Sequence, residues 1–80
     1  MNSLQVKFGK QLRKTRRAKG FTQEELAEAT GLSVDFISLV ERGLNAPSFN
    51  SIEKLADKLG VEVFNLFVFE NHDSEKKHNR

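Results

Sequence analysis

The amino-acid sequence predicts an all-α domain, and three observations support that fold class. Leu4, Phe8 and Leu12 recur every four residues, which places them on one face of a helix. Residues that favour helix N-termini stand before three later segments, and these are Thr22, Ser33 and Ser48. Glycines of the kind that end helices stand at positions 20, 31, 43 and 60. The first 60 residues are therefore predicted to contain four helices.

The first two helices have well-marked ends. The first is predicted from about residue 4 to residue 18, with cations in its last turn and Gly20 after it. Thr22 and Glu25 have the spacing of a capping box, in which each side chain accepts a hydrogen bond from the backbone of the other residue. The second helix is therefore predicted to begin beside Thr22 and to stop at Gly31.

Later segments are interpreted in the same way. Ser33 is the predicted cap of a third helix over Val34–Arg42, and Ser48 is the predicted cap of a fourth. The predicted core face of the fourth helix consists of Phe49, Ile52, Leu55, Ala56 and Leu59. Residues 61–69 are strongly apolar and are predicted to form a short fifth helix, an extended segment, or one followed by the other. We expect a domain over residues 1–70 and a polar, disordered tail over 71–80.

Composition excludes several classes of protein. A chain of 80 residues has one small core and little volume for a catalytic cleft, so we expect no enzyme and no small-molecule substrate. The absence of cysteine excludes disulfides, thiol catalysis and Cys-based zinc sites. His72 and His78 lack further ligands at metal spacing, so no metal or cofactor is expected. Without a membrane-length apolar run or a secretory signal, we expect a cytoplasmic protein with no membrane contact.

Charge is unevenly distributed although the net charge is only +2. Residues 1–23 contain seven basic residues and no acidic ones, whereas residues 24–41 contain five acidic residues and no basic ones. This asymmetry indicates either an anionic partner or a basic helix that is simply solvated.

Residues 23–42 have the spacing of a helix-turn-helix. Ala27 is small at the point where two helices would cross, and Gly31 can adopt the left-handed conformation of a tight turn. Ile37 follows six residues later and would point back at the second helix.

Residues 5–67 resemble the phage-repressor and Cro-type (xenobiotic-response-element-like) helix-turn-helix family. The resemblance is carried by GFTQEELA at 20–27, GLS at 31–33, ISLVERG at 37–43 and PSF at 47–49. It implies a compact five-helix bundle of the lambda-repressor-like type. It also implies a transcriptional regulator, such as a repressor, that binds a palindromic operator in double-stranded DNA as a homodimer. In size the chain is similar to phage Cro proteins, restriction–modification controller proteins and small antitoxins.

The third helix is predicted to carry the base-reading residues. Successive residues of a helix are rotated by about 100° around its axis. If Ile37 points inward, Asp35, Leu39 and Arg42 therefore lie on the opposite side. Asp35 can accept a hydrogen bond from cytosine N4, and Leu39 can contact a thymine methyl group. The resemblance implies base contacts from Ser33, Val34, Asp35, Ser38 and Leu39. As alternatives, Asp35 only complements the helix N-terminus, and Leu39 packs in the core.

Phosphate contacts are predicted around this helix. The resemblance implies them for Gln23, Asn45 and Ser48, and the amides at the start of the second helix favour phosphate in any case. Arg42 is interpreted as a further phosphate contact, and so are Arg13 and Arg17 of the first helix. As alternatives, Gln23 is merely solvated, and Asn45 and Ser48 only form a turn and a cap. Arg42 bonds guanine instead of a phosphate, and Arg13 and Arg17 only keep the first helix soluble.

Arg16 and Glu41 are predicted to form an ion pair. Arg16 continues the apolar face of the first helix, and Glu41 follows Ile37 by four residues, so both point inward. The resemblance implies the same pair. We therefore predict a contact below about 3.2 Å.

A homodimer is predicted because one recognition helix reads too few base pairs to select a site. Phe64 and one of Leu66 or Phe67 suffice to close a small core, which leaves surplus apolar side chains in residues 61–69. The predicted dimer interface consists of Phe64, Phe67, Val68 and Phe69. As an alternative, the segment folds back onto the first helix.

Two other functions remain open at this point. One is an antitoxin-type module whose main partner is another protein. The other is an interaction domain without DNA binding, which the acidic Asp35 and the apolar Leu39 keep open.

Overall fold

Four α-helices and one 3₁₀ helix make up the described part of the computed structural model, residues 3–69. The helices are α1 (Leu4–Ala18), α2 (Gln23–Thr30), α3 (Val34–Glu41), α4 (Phe49–Leu59) and the 3₁₀ helix (Val63–Phe67). No strand occurs in residues 3–69, so the all-α class is confirmed there. The predicted tail and the boundary after residue 70 lie outside the described residues.

The helix ends follow from local hydrogen bonds. Thr22 Oγ1 accepts from the Glu25 amide at 3.0 Å, and Glu25 Oε1 accepts from the Thr22 amide at 2.9 Å, which is the predicted capping box. Ser33 and Ser48 cap α3 and α4 in the same position, as predicted. The third helix ends one residue earlier than predicted, with Arg42 as its C-cap.

The C-terminal segment corrects the predicted five-helix bundle, because its fifth helix is a single 3₁₀ element of five residues. The Asn65 amide donates to the Glu62 carbonyl at 3.0 Å, and Asn65 Oδ1 accepts from the Glu62 amide at 3.0 Å. These two bonds close a tight turn, and 3₁₀ helices stay short because their hydrogen-bond geometry is poorer than that of α-helices. Val68 then has extended backbone, so the helix-then-extended alternative is the one observed.

The core lies between all five elements and consists of Phe8, Leu12, Leu26, Ala27, Ile37, Val40, Ile52, Leu55, Ala56, Leu59 and Leu66. Phe49 was predicted to belong to it, and that prediction is wrong, because this side chain is 86% exposed. Phe49 is the first residue of α4. Since Cα–Cβ bonds tilt toward the N-terminus of a helix, its ring projects past the end of α4 instead of onto the core.

The prediction that Phe64 closes the core is also wrong. Phe64 is 64% exposed, whereas Leu66 is fully buried. Side chains three residues apart eclipse in a 3₁₀ helix, so Phe64 shares a side with Phe67, away from Leu66. The Phe67 ring packs at the edge of the core against Phe8, with 5.1 Å between the ring centroids. Leu66 is therefore the residue of this segment that lies within the buried core, while Val61 packs against the core from its edge.

Helix α1 holds α3 and the 3₁₀ helix in place. Gln5 Nε2 donates to the Gly43 carbonyl at 2.9 Å, and Gln11 Nε2 donates to the Asn65 carbonyl at 3.1 Å. A Cβ added at Gly9 would overlap the Val40 carbonyl oxygen, so α1 and α3 touch backbone to backbone there. The orientation of α3 is thus set by contacts along the length of α1.

Candidate nucleic-acid interface

Helices α2 and α3 are joined by a well-braced turn. Gly31 has a φ of 78°, which glycine adopts without strain, and its amide donates to the Ala27 carbonyl at 2.9 Å. The buried Thr30 hydroxyl donates to the Leu26 carbonyl at 2.8 Å. Ser33 Oγ then accepts from the Phe36 amide at 3.0 Å and starts α3. With Ile37 and Val40 fully buried, the opposite face of α3 is presented outward.

That outward face carries most of the predicted base-contacting residues. Asp35 is exposed, Ser38 and Leu39 are half-buried, and Ser33 is exposed just before the helix. Val34 is the exception, since it is half-buried and packs against the core, as Phe36 also does. The structure thus brings four of the five predicted residues together on one surface and turns Val34 largely away from it.

Asp35 and Leu39 are the two unusual residues of this surface. No hydrogen bond or ion pair of the Asp35 carboxylate is present within residues 3–69, and Ser33 already supplies the side-chain cap of α3. Asp35 does lie in the first turn of α3, where a negative charge is favourable. Leu39 is half-buried but is not among the apolar side chains that pack against the core. The alternative that places Leu39 in the core is therefore not supported.

A buried ion pair supports α3 from behind. Arg16 Nε lies 2.6 Å from Glu41 Oε2 and Arg16 Nη2 lies 3.0 Å from Glu41 Oε1, so the contact is bidentate and falls within the predicted distance. Arg16 Nη1 also donates to the Phe21 carbonyl at 2.8 Å. The hydrogen bonds to Glu41 raise the pKa of Arg16, against the lowering effect of burial. The pair ties α1 to the C-terminal end of α3.

Gln23 joins this pair to the start of α2. Its Nε2 donates to Glu41 Oε1 at 3.0 Å, and the side chain is half-buried. Gln23 is therefore not the freely solvated residue of the alternative interpretation. The remaining N–H of its side-chain amide and the first backbone amides of α2 lie at the start of this helix, which favours an anion.

The loop between α3 and α4 uses its predicted phosphate-contacting side chains locally. Asn45 Oδ1 accepts from the Ala46 amide at 3.1 Å, and Ser48 Oγ accepts from the Ser51 amide at 3.1 Å. Their oxygens therefore act in a turn and a cap. The side-chain NH₂ of Asn45 and the first amides of α4 are the groups that would face a phosphate.

The basic residues of α1 form one continuous surface. Lys10, Arg13, Lys14 and Arg17 follow an i, i+3, i+4, i+7 spacing, and together they line an open groove. With a rotation of about 100° per residue, Arg13 lies about 40° around the helix axis from Gly9. Gly9 is the residue at which α1 touches α3. Arg13 therefore lies on the α3 side of α1, and Arg17 follows it one turn later. Both are exposed.

Sequence reasoning missed the residues that set the distance between α1 and α3. A Cβ at Gly9 would lie 2.9 Å from the Glu41 carbonyl oxygen, and one at Gly43 would lie 2.9 Å from Val6 Cγ2. Gln5 was likewise not predicted to hold Gly43. The available signal was a glycine inside the first helix, which usually marks close backbone approach.

Apolar side chains remain exposed along residues 61–69. Phe64 and Val68 are 64% and 55% exposed, and Phe67 is 37% exposed. The Phe69 ring lies 6.2 Å from that of Phe67, between centroids. Since Phe67 packs on Phe8, the segment partly folds back onto α1, as the alternative proposed, while Phe64 and Val68 stay outward.

The described residues offer no metal site. Within residues 3–69, no group of three or more His, Cys, Asp or Glu side chains is placed to hold an ion. His72 and His78 lie outside the described residues. None of the helices in the described part of the chain is both long enough and apolar enough to span a bilayer.

A capped α2, a glycine turn and an α3 braced by a buried ion pair define a helix-turn-helix protein. A helix-turn-helix family model matches residues 12–65, and the chain belongs to that family. Its curated relatives are transcriptional regulators and a control protein, so the chain belongs to a DNA-binding regulator family and not to an enzyme family.

Three relatives illustrate the similarity. The chain is 40% identical over 70 residues to YqaF, an uncharacterized helix-turn-helix-type transcriptional regulator of Bacillus subtilis, covering 88% of this chain and 90% of YqaF. Its structure is similar to that of the restriction–modification controller protein C.AhdI from Aeromonas hydrophila, with a TM-score of 0.76, 47% identity, and coverage of 78% of this chain and 94% of C.AhdI. It is also similar to SinR, a master regulator for biofilm formation, solved in complex with DNA. That match has a TM-score of 0.71, 35% identity, and coverage of 74% of this chain and 95% of the SinR chain.

Proposed function

We propose that this protein is a sequence-specific transcriptional regulator that binds a palindromic operator as a homodimer, with α3 in the major groove. The observation that carries the proposal is the outward face of α3. Asp35, Ser38 and Leu39 are accessible there, while Glu41 on the inward side is held by Arg16 and Gln23. A helix that is rigid and presents polar and apolar groups outward is what major-groove reading requires.

Phosphate binding is proposed on both sides of this helix. Arg42 is exposed at the C-terminal end of α3, and Arg13 and Arg17 are exposed along the neighbouring face of α1. Neutral donors would come from the side-chain amides of Gln23 and Asn45 and from the first backbone amides of α2 and α4. Ser48 would take part as the cap that fixes the start of α4, because its hydroxyl is already bonded to Ser51. Such contacts would place α3 in register without carrying sequence information.

The homodimer is proposed through residues 61–69. Phe64, Phe67 and Val68 are exposed together within one short segment, which supports an interface because single proteins rarely expose large contiguous apolar patches. Phe69 continues the same surface. A two-fold dimer would present two copies of α3 about 34 Å apart, one turn of DNA.

The proposal also divides the chain into a DNA-binding domain over residues 1–70 and a separate polar tail over residues 71–80. The regulator would act in the cytoplasm, where its operator lies. Similarity to the controller protein C.AhdI and to DNA-bound SinR supports the choice of DNA as partner.

Selection from a random library of duplexes tests the function. The full chain is expected to enrich a palindromic motif and to bind it with micromolar to nanomolar affinity in fluorescence anisotropy. Binding should weaken steeply from 50 to 200 mM salt, because phosphate contacts release counterions. No enriched motif, or a dissociation constant that is unchanged by salt, would contradict the proposal and favour a protein-interaction module.

A further inference from the structure

The outward face of α3 combines a carboxylate acceptor with an apolar group, and the Ser33 and Ser38 hydroxyls, which can donate or accept, lie on the same surface. Asp35 is exposed and without a partner in residues 3–69, and Leu39 follows it by four residues on the same face. Side chains at this spacing have Cβ atoms about 5–6 Å apart, so a carboxylate and an isobutyl group are adjacent. The only strong donor on this side is Arg42, at the far end of the helix.

This combination matches only one base in its major-groove pattern. Guanine presents two acceptors, N7 and O6, which a carboxylate would avoid. Adenine places its N6 donor next to the N7 acceptor, and thymine places its methyl group next to the O4 acceptor. Cytosine alone presents a donor, N4, beside a ring carbon, C5. When the carboxylate accepts a hydrogen bond from N4–H, the adjacent leucine therefore lies above C5.

Resting on the proposed function, we infer that Asp35 and Leu39 read one cytosine in each half-site as a unit and that methylation at C5 of this cytosine strengthens binding. The Leu39 side chain is half-buried and is not among those that pack against the core, so its exposed part is open to this contact. A C5 methyl group adds apolar surface next to Leu39 and leaves the N4 donor of the base in place for Asp35. The protein would thus distinguish operator DNA that carries 5-methylcytosine from unmodified DNA.

The experiment uses the full chain and a duplex enriched from a random library. In each half-site, the base that is varied is the cytosine nearest the centre of the stretch that α3 covers. Three versions are compared by fluorescence anisotropy, and they carry cytosine, 5-methylcytosine or thymine at that position. We expect 5-methylcytosine to bind about three- to fourfold more tightly than cytosine, the effect of one buried methyl-sized group. Thymine should bind about tenfold more weakly than cytosine, because O4 faces the Asp35 carboxylate.

Two variants separate the roles of the pair. Leu39→Ala should lose the preference for 5-methylcytosine and keep the preference for cytosine over thymine. Asp35→Asn should lose the preference for cytosine over thymine, since an amide can donate to O4, and keep the preference for the methyl group. The matched controls are Leu44→Ala and Asp57→Asn, which change exposed residues of the same types outside α3 and should leave both ratios unchanged.

Equal affinity for cytosine and 5-methylcytosine would overturn the inference, as would an enriched motif without cytosine. These wild-type comparisons do not depend on whether any variant folds. A chain that enriches no duplex would instead overturn the proposed function itself, so the two failures are distinguishable.

Discussion

Arg16 of α1 and Glu41 of α3 form a bidentate ion pair in which both side chains are buried, with N···O distances of 2.6 and 3.0 Å. Gln23 of α2 donates to the same carboxylate at 3.0 Å, so three helices meet at Glu41. The pKa of Arg16 is raised by this carboxylate, so any stability that depends on the guanidinium charge is lost only at strongly alkaline pH. Substitution therefore tests the role of Arg16 better than alkaline titration does.

Removing the arginine should strongly destabilise the domain. In Arg16→Ala the Glu41 carboxylate stays buried without its cation, which typically costs about 3–5 kcal/mol. Urea denaturation followed by circular dichroism measures the free energy of unfolding. The control Arg13→Ala removes an exposed arginine one turn earlier and should change that free energy by less than about 0.5 kcal/mol. Equal stability of the two variants would show that the pair contributes nothing.

Gly9→Ala should destabilise the protein although alanine is the better helix former. The added Cβ would overlap the Val40 carbonyl oxygen, and backbone cannot move aside as a side chain can. We expect a net loss of about 1–3 kcal/mol in the free energy of unfolding. This loss remains after the ~1 kcal/mol that the higher helix propensity of alanine contributes. Lys10→Ala, at the neighbouring exposed position, is the control and should be close to neutral. A more stable Gly9→Ala would mean that propensity alone governs this position.

Arg42→Ala should weaken DNA binding without changing sequence preference. If Arg42 binds a phosphate, its loss should reduce the slope of log Kd against log salt concentration by about 1. Arg13→Ala and Arg17→Ala should have the same effect as Arg42→Ala. The control is Lys58→Ala in the last turn of α4, which also removes one positive charge. The measurement is anisotropy at several salt concentrations on the enriched duplex. A slope that falls equally in Lys58→Ala would indicate a general charge effect rather than specific phosphate contacts.

The wild type should sediment as a dimer at micromolar concentration, and Phe64→Lys combined with Val68→Lys should sediment as a monomer. Both residues are more than half exposed, so the two lysines should leave the core intact while placing like charges in the proposed interface. The pair Phe67→Lys and Phe69→Lys should also give a monomer, although Phe67 contacts Phe8 and this variant will lose stability as well.

The matched control for the dimer is Phe49→Lys, which changes a phenylalanine that is 86% exposed and lies outside residues 61–69. It should remain dimeric. A monomeric wild type would contradict the proposed interface, and so would a Phe64→Lys, Val68→Lys variant that stays dimeric and still binds a palindromic duplex.

The contacts at the candidate site were predicted from sequence to different degrees. The meeting of Arg16 with Glu41 follows from helical spacing alone, because each continues an inward face. Gln23 was expected at the start of α2, but its bond to Glu41 depends on how closely α2 approaches α3. Val34 was predicted to contact bases, and the structure packs it against the core. At the edge of a helical face, the neighbouring element decides which way a side chain turns.

The sequence by itself determined where the four α-helices begin and, to within one residue, where they end, because caps and glycine stops act within a few residues of the chain. Only the tertiary structure decided which residues at the ends of those helices are covered. Phe49 was predicted to lie on the inward face, but it is the first residue of α4 and is 86% exposed. Leu66, and not Phe64, enters the core because one 3₁₀ turn points only one side of the segment inward. Burial depends on what packs against a residue, and that information lies in distant parts of the chain.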